Sequence, residues 1–205
     1  MVEEREAYDL AQFIAQVERV LPDSQETTAK PVLLLLCGLP GTGKSFLARR
    51  LAEALPFVII ESDMVRKILF PQPRYTAQES RWVHRTCHAL MAKLLKRGVR
   101  VIYDATNLIE YHRELVYRIA ERAEARLVVV KTVASEEVVR ERLRARQEGA
   151  AEISDADWRT YRRMASRLEP ISHPHLVIDT SEDLEEAVAK VLRSIRRQEV
   201  INRVR

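Results

Sequence analysis

Three of the chain's five glycines fall within six residues, Gly38 to Gly43, and that crowding constrains the fold more than any other feature. The run Gly38-Leu39-Pro40-Gly41-Thr42-Gly43-Lys44-Ser45 fits the pattern G-x-x-x-x-G-K-[ST]. Before it, Val32 to Cys37 is an uninterrupted apolar run, which predicts a strand buried on both faces; after it, Ser45 to Leu55 has helical periodicity. A strand, a glycine loop and a helix in that order can hold polyphosphate. Backbone N–H groups must wrap the oxygens, which requires positive φ angles and an approach that a Cβ would block. The helix start adds free N–H groups and its dipole. Lys44 is expected on the β and γ phosphates, and the Ser45 hydroxyl on Mg²⁺. The alternative is a glycine-rich turn that precedes Lys-Ser by accident.

With 205 residues, 46% of them hydrophobic, the chain is long enough for one α/β domain with appendages. Leu10, Phe13, Ile14, Val17, Val20 and Leu21 form one helical stripe that Pro22 ends. Residues 1–30 are thus expected to be a helix and linker, and 31–205 the main domain. Further strands are predicted at Phe57 to Ile60, Val99 to Tyr103, Leu127 to Val133 and Leu176 to Asp179, with helices between them. The Thr76-x-x-Glu79 pair reads as a capping box, Asn107 and Ser135 as helix caps, and Ser154-x-x-Asp157 as a further helix start. This alternation predicts a three-layer α/β/α sandwich on a five-stranded parallel sheet, with a helical lid at about residues 140–168.

Charge excludes less than it suggests. The net charge of +4 comes from 34 basic and 30 acidic residues, so a nucleic-acid partner is possible but not favoured. Cys37 and Cys87 fit neither a disulfide framework nor a zinc spacing and read as buried reduced thiols. The acidic N-terminus lacks an apolar segment of the secretory kind, and no run is long enough for a membrane span, so a cytoplasmic protein is expected.

In an open parallel sheet the ligand crevice lies at the carboxyl ends of the strands. Gly38, Asp63 and Asp104 each follow a predicted strand, so they converge there. A carboxylate near the γ-phosphate can take a proton from an attacking hydroxyl while a second organises Mg²⁺ or its waters. Asp63 is assigned the first role and Asp104 the second. The alternatives are a helix N-cap for Asp63 and a strand-end residue for Asp104. Arg66, one turn beyond Asp63, could hold an anionic acceptor or simply be solvated. Arg142 and Arg146 project together from the expected lid, where a cation could reach the transferring phosphoryl; a solvated arginine face is the alternative. His84 and His88 share a helix face, but no third metal ligand is evident.

Taken together these motifs resemble the polynucleotide-kinase-like P-loop kinases, a group that includes the phage 5′-hydroxyl polynucleotide kinase and many bacterial AAA-type kinases known from sequence. Besides the phosphate loop, Ser62 to Arg66 looks like the family's Asp-x-x-Arg acceptor motif and Tyr103 to Leu108 like its third-strand motif. Arg142 with Arg146 resembles the paired lid arginines, and Ile153 to Met164 the helix after the lid. The resemblance implies a P-loop kinase sheet, ATP as donor, Asp63 as general base, Arg66 and Asp104 at the substrate, and Arg146 at the phosphates. Gly38 through Ser45, with Phe46 and Arg142, complete the set expected to hold the nucleotide. The expected activity is transfer of the γ-phosphate of ATP to a hydroxyl of a small-molecule or nucleotide-like acceptor. A 5′-hydroxyl polynucleotide kinase and a nucleotide-binding switch without transferase activity are the alternatives.

Overall fold

The computed structural model describes residues 9–22, 26–148 and 156–201. The first unit is β1 (Val32–Cys37), the glycine loop and α2 (Lys44–Ala54), preceded by α1 (Leu10–Glu18). Next come β2 (Phe57–Glu61), α3 (Ser62–Leu69), α4 (Ala77–Lys96) and β3 (Arg100–Asp104). The chain continues through α5 (Glu110–Arg122), β4 (Arg126–Val133), α6 (Glu136–Glu148), α7 (Trp158–Ala165), β5 (His175–Asp179) and α8 (Leu184–Ile201).

All strand pairs are parallel, in the order β2-β3-β1-β4-β5. The alternation of side chains along β1 divides the core between the two faces. Leu33 and Leu35 join Phe13, Val17, Leu90 and Val116 on one side; Leu34 and Leu36 join Leu47, Leu51, Val188 and Val191 on the other. Helices thus cover both faces of the five-stranded sheet, the three-layer α/β/α arrangement expected from the sequence.

Local sequence accounts for most boundaries. Thr76 and Glu79 form both halves of the capping box on α4, and Gly98, at φ 81°, ends that helix. A Cβ at Gly98 would lie 2.7 Å from the Thr28 carbonyl oxygen, because the segment ahead of β1 crosses there. Helix α1 packs on α3 and α4, where Phe13 meets Phe70 and Trp82 edge to face at 5.9 and 5.7 Å. Val20 leaves that stripe and is exposed.

Asn107 departs from the expected cap. Ile109 is the N-cap of α5, while Asn107 is buried with φ 46° and donates from Nδ2 to the Leu36 carbonyl at 2.7 Å. Its amide ties the β3–α5 loop to β1. Helix α7 begins after Asp157, whose side chain accepts from Thr160 N. The expected break at Gly149-Ala150-Ala151 and the Ser154 cap lie outside the described residues.

Candidate active site

The glycine loop opens directly beneath the carboxyl end of β1. Gly38, Gly41 and Gly43 have φ of 149°, 80° and 81°. A Cβ at Gly38 would stand 2.6 Å from Thr132 Oγ1, and one at Gly43 would stand 2.8 Å from Thr180 Oγ1. The loop is therefore wedged against the ends of β4 and β5 as well as open to ligand. Thr42 Oγ1 lies 2.7 Å from Thr132 Oγ1, and Thr180 Oγ1 donates to the Thr42 carbonyl at 3.0 Å. Gly38 N donates to the Thr106 carbonyl at 3.0 Å on the opposite side.

Gly43 is the N-cap of α2, and no side chain caps that helix start. Its first turn carries no acidic residue, so its N–H groups and dipole are available to an anion. Lys44 is buried, with Nζ donating to the Leu39 carbonyl at 3.0 Å. Burial lowers its pKa, and the carboxylates of Asp104 and Asp63 act against that shift.

A cleft of about 780 Å³ runs from this loop along the strand ends. Pro40, Gly41, Gly43, Lys44, Ser45, Asp63, Arg66, Asp104 and Arg146 all line it. Asp63 lies in the first turn of α3, whose N-cap is Glu61, so it does not cap that helix. Asp104 pairs in register with Leu36 and is buried. Burial raises its pKa, while the Lys44 ammonium and the Ser45 hydroxyl draw it back. Its Oδ2 is buried without a hydrogen-bond partner. Arg66 is held by Ser80 Oγ at 3.3 Å, Glu79 Oε2 at 3.7 Å and the Tyr75 ring at 5.0 Å.

The structure does not gather every expected residue. Phe46 turns its ring to solvent and does not line the cleft. Leu39 and Thr42 serve through the loop itself, the Thr42 hydroxyl donating to the Leu39 carbonyl at 2.7 Å. Arg142 sits behind the loop: it donates to Gly41 O at 3.3 Å and to Thr180 Oγ1 and O at 2.8 and 2.7 Å. Arg140 pairs with Glu136 and covers Trp158, as a surface arginine does.

Three residues at this edge escaped the sequence reading. Glu61, the last residue of β2, lines the cleft, and Thr132 and Thr180 brace the loop. The strand-end rule applied to β5 would have found Thr180, and taking the residue directly after the predicted strand Phe57 to Ile60 as well as Asp63 would have found Glu61. Burial, then Asp104 and Asp63, push Glu61 up from 4.5 to about 7. The cleft thus gathers three carboxyl groups, those of Glu61, Asp63 and Asp104, together with Lys44.

His84, which also lines the cleft, stacks on His112 at 5.0 Å, and burial lowers the pKa of both His84 and His88 to about 4. Among the described residues no group of three or more His, Cys, Asp or Glu side chains is placed to hold a metal ion. Cys37 and Cys87 are free and buried, and burial pushes both thiols up to about 12. No helix among the described residues is long and apolar enough to cross a membrane.

Residues 33–171 match the model of an AAA domain, AAA_33. A protein of Aeropyrum pernix named "Probable adenylyl-sulfate kinase" is 30% identical over 158 residues, which cover 74% of this chain and 84% of that protein. The Mycobacterium tuberculosis APS kinase CysC, solved with AMPPNP and APS, superposes with a TM-score of 0.62 at 18% identity, covering 82% of this chain and 99% of that one. A gluconokinase from Sinorhizobium meliloti 1021 superposes with a TM-score of 0.57 at 23% identity, covering 82% and 93%. At those identities the two structures speak for the fold alone. The AAA-domain match spans most of the chain and the A. pernix relative is 30% identical over 74% of it, so this chain belongs to the AAA_33 family among the P-loop kinases.

Proposed function

We propose that the chain is a kinase that moves the γ-phosphoryl group of ATP to a hydroxyl of a small-molecule or nucleotide-like acceptor. The observation that carries this reading is one cleft lined by both the phosphate loop and the carboxylate of Asp63. A binding switch needs the first and has no use for the second.

In this reading the loop N–H groups and the uncapped start of α2 bind the phosphates, with Lys44 neutralising the β and γ oxygens. The Ser45 hydroxyl and the unpartnered Asp104 Oδ2 suit a hard divalent cation that takes its remaining ligands from phosphate and water. Mg²⁺ bound there would neutralise and orient the phosphates. Asp63 accepts the proton of the acceptor hydroxyl as its oxygen bonds to the γ-phosphorus. The bond from that phosphorus to the β–γ bridging oxygen breaks, and ADP leaves. Arg146, on the lid side of the cleft, meets the charge of the transferring group.

The test is transfer of label from γ-³²P ATP in the presence of Mg²⁺ to small hydroxyl compounds and, separately, to a 5′-hydroxyl oligonucleotide. Labelling of a small acceptor, lost in Lys44→Ala, supports the reading. Strong labelling of the oligonucleotide with the same dependence on Lys44 overturns the small-molecule acceptor. ATP binding without transfer to either indicates a switch.

A further inference from the structure

The wall of the cleft beyond Asp63 has the opposite charge to its floor. Thr160, Arg163, Met164 and Arg167 line it from α7 and the turn that follows. Their spacing of i, i+3, i+4 and i+7 makes one helical stripe. No residue of α7 is buried, because this face looks onto the open cleft. Arg66 and Arg74 line the cleft from α3 and the α3–α4 loop. Among the described residues the only carboxylates lining the cleft are Glu61, Asp63 and Asp104, at the strand ends. Among the described residues the side chains of Arg74, Arg163 and Arg167 have no carboxylate or hydrogen-bond partner.

The loop that carries Arg74 is fixed before any ligand arrives. The Glu79 carboxylate accepts from Arg74 N at 3.0 and 3.1 Å and from Thr76 N at 3.3 Å. Tyr75, between them, takes φ 55°, a conformation costly for an aromatic residue, and its ring lies against the Arg66 guanidinium. Glu79 thus spends its charge on the loop backbone and Arg66, leaving the Arg74 guanidinium unpaired.

We propose that the acceptor is a small hydroxyl compound bearing an oxyanion of its own, a phosphate, sulfate or carboxylate, and that Arg74, Arg163 and Arg167 bind this group. The inference rests on the kinase reading of the same cleft. Repulsion from the carboxylates at the strand ends and attraction to the arginines orient such a molecule one way, with its hydroxyl toward Asp63. Arginine suits all three groups because its planar fork matches their paired oxygens.

Two measurements test this. In the first, protein saturated with Mg²⁺ and AMPPNP, so that the phosphate loop is filled, is titrated with inorganic sulfate at constant ionic strength while arginine Nε–Hε signals are followed by NMR. Saturable shifts at Arg74, Arg163 and Arg167 are expected, with affinity at least ten-fold weaker in R163A/R167A and AMPPNP affinity within two-fold of wild type. Both side chains are exposed, and an unchanged Tm checks the fold. In the second, glycerol is compared as acceptor with glycerol 3-phosphate and glycerate, adenosine with its monophosphates, and all with a 5′-hydroxyl oligonucleotide. The anionic member of a pair is expected to have at least ten-fold higher kcat/KM, the advantage lying in KM and vanishing in R163A/R167A. Absence of saturable shifts, equal shifts in the variant, or preference for neutral compounds or the oligonucleotide overturns the inference. Sulfate binding without transfer to any hydroxyl would instead overturn the kinase reading.

Discussion

Glu61 and Asp104 pair in register at the ends of β2 and β3, so neighbouring strands deliver two carboxylates side by side to the floor of the cleft. Burial, and after it the charges of Asp104 and Asp63, push the Glu61 carboxyl up to about 7, against 4.5 for the free group. Between those values the unfolded chain has released this proton while the folded chain retains it, so the contribution of Glu61 to the stability of the ligand-free protein is lost as pH rises through this window. For a partly exposed carboxylate the loss is about 1–2 kcal/mol. His84 and His88, lowered to about 4, act in the opposite direction, so the Glu61 contribution is read as a difference: between pH 5 and pH 8 Glu61→Gln should gain about 1–2 kcal/mol of stability relative to the wild type in urea unfolding.

Thr180 joins β5 to the phosphate loop and α6 at once, donating to Thr42 O and accepting from Arg142. Replacement by valine leaves a buried carbonyl and a guanidinium N–H unpaired, at a cost of about 1–3 kcal/mol. Thr180→Val should therefore unfold at lower urea and bind AMPPNP more weakly. Thr180→Ser, which keeps the hydroxyl, should restore both.

How far the sequence reached is clear from these residues. The five-stranded parallel sheet and the convergence of the phosphate loop, Asp63 and Asp104 followed from apolar runs and the strand-end rule, because both depend on local pattern; the strand order did not, since it is set by which strands pair. Asn107 was misread because its amide bonds to Leu36, a partner distant in the chain, and its left-handed backbone leaves no mark on periodicity. Arg142 and Arg146 share a helix face in the sequence, yet one bonds behind the loop and the other lines the cleft. Only the path of α6 across the loop separates them. Tyr75 and Glu79 depend likewise on how the α3–α4 loop closes.

Gly38 tests the loop's fit more severely than its φ alone. An alanine Cβ there meets both Thr132 Oγ1 at 2.6 Å and the Thr132 carbonyl oxygen at 2.7 Å. Gly38→Ala should destabilise by roughly 2–4 kcal/mol. Thermal melts should show that adding Thr132→Ala fails to rescue it, since the backbone clash remains.

Lys44 is the buried cation nearest the acidic floor. Calorimetry should show Lys44→Ala weakening AMPPNP binding by about 10-fold or more, with phosphoryl transfer falling by about 10²–10³-fold. A smaller loss in transfer than in binding would mean that Lys44 does not act on the transferring group.

The most direct measurement is single-turnover transfer from γ-³²P ATP to a filtered pool of small metabolites, comparing the wild type with Asp63→Asn at equal ATP occupancy. The kinase reading predicts a labelled organic product in the wild type and a rate about 10²–10⁴-fold lower in the variant. Equal rates in the two proteins, or label recovered only as inorganic phosphate from both, would contradict it.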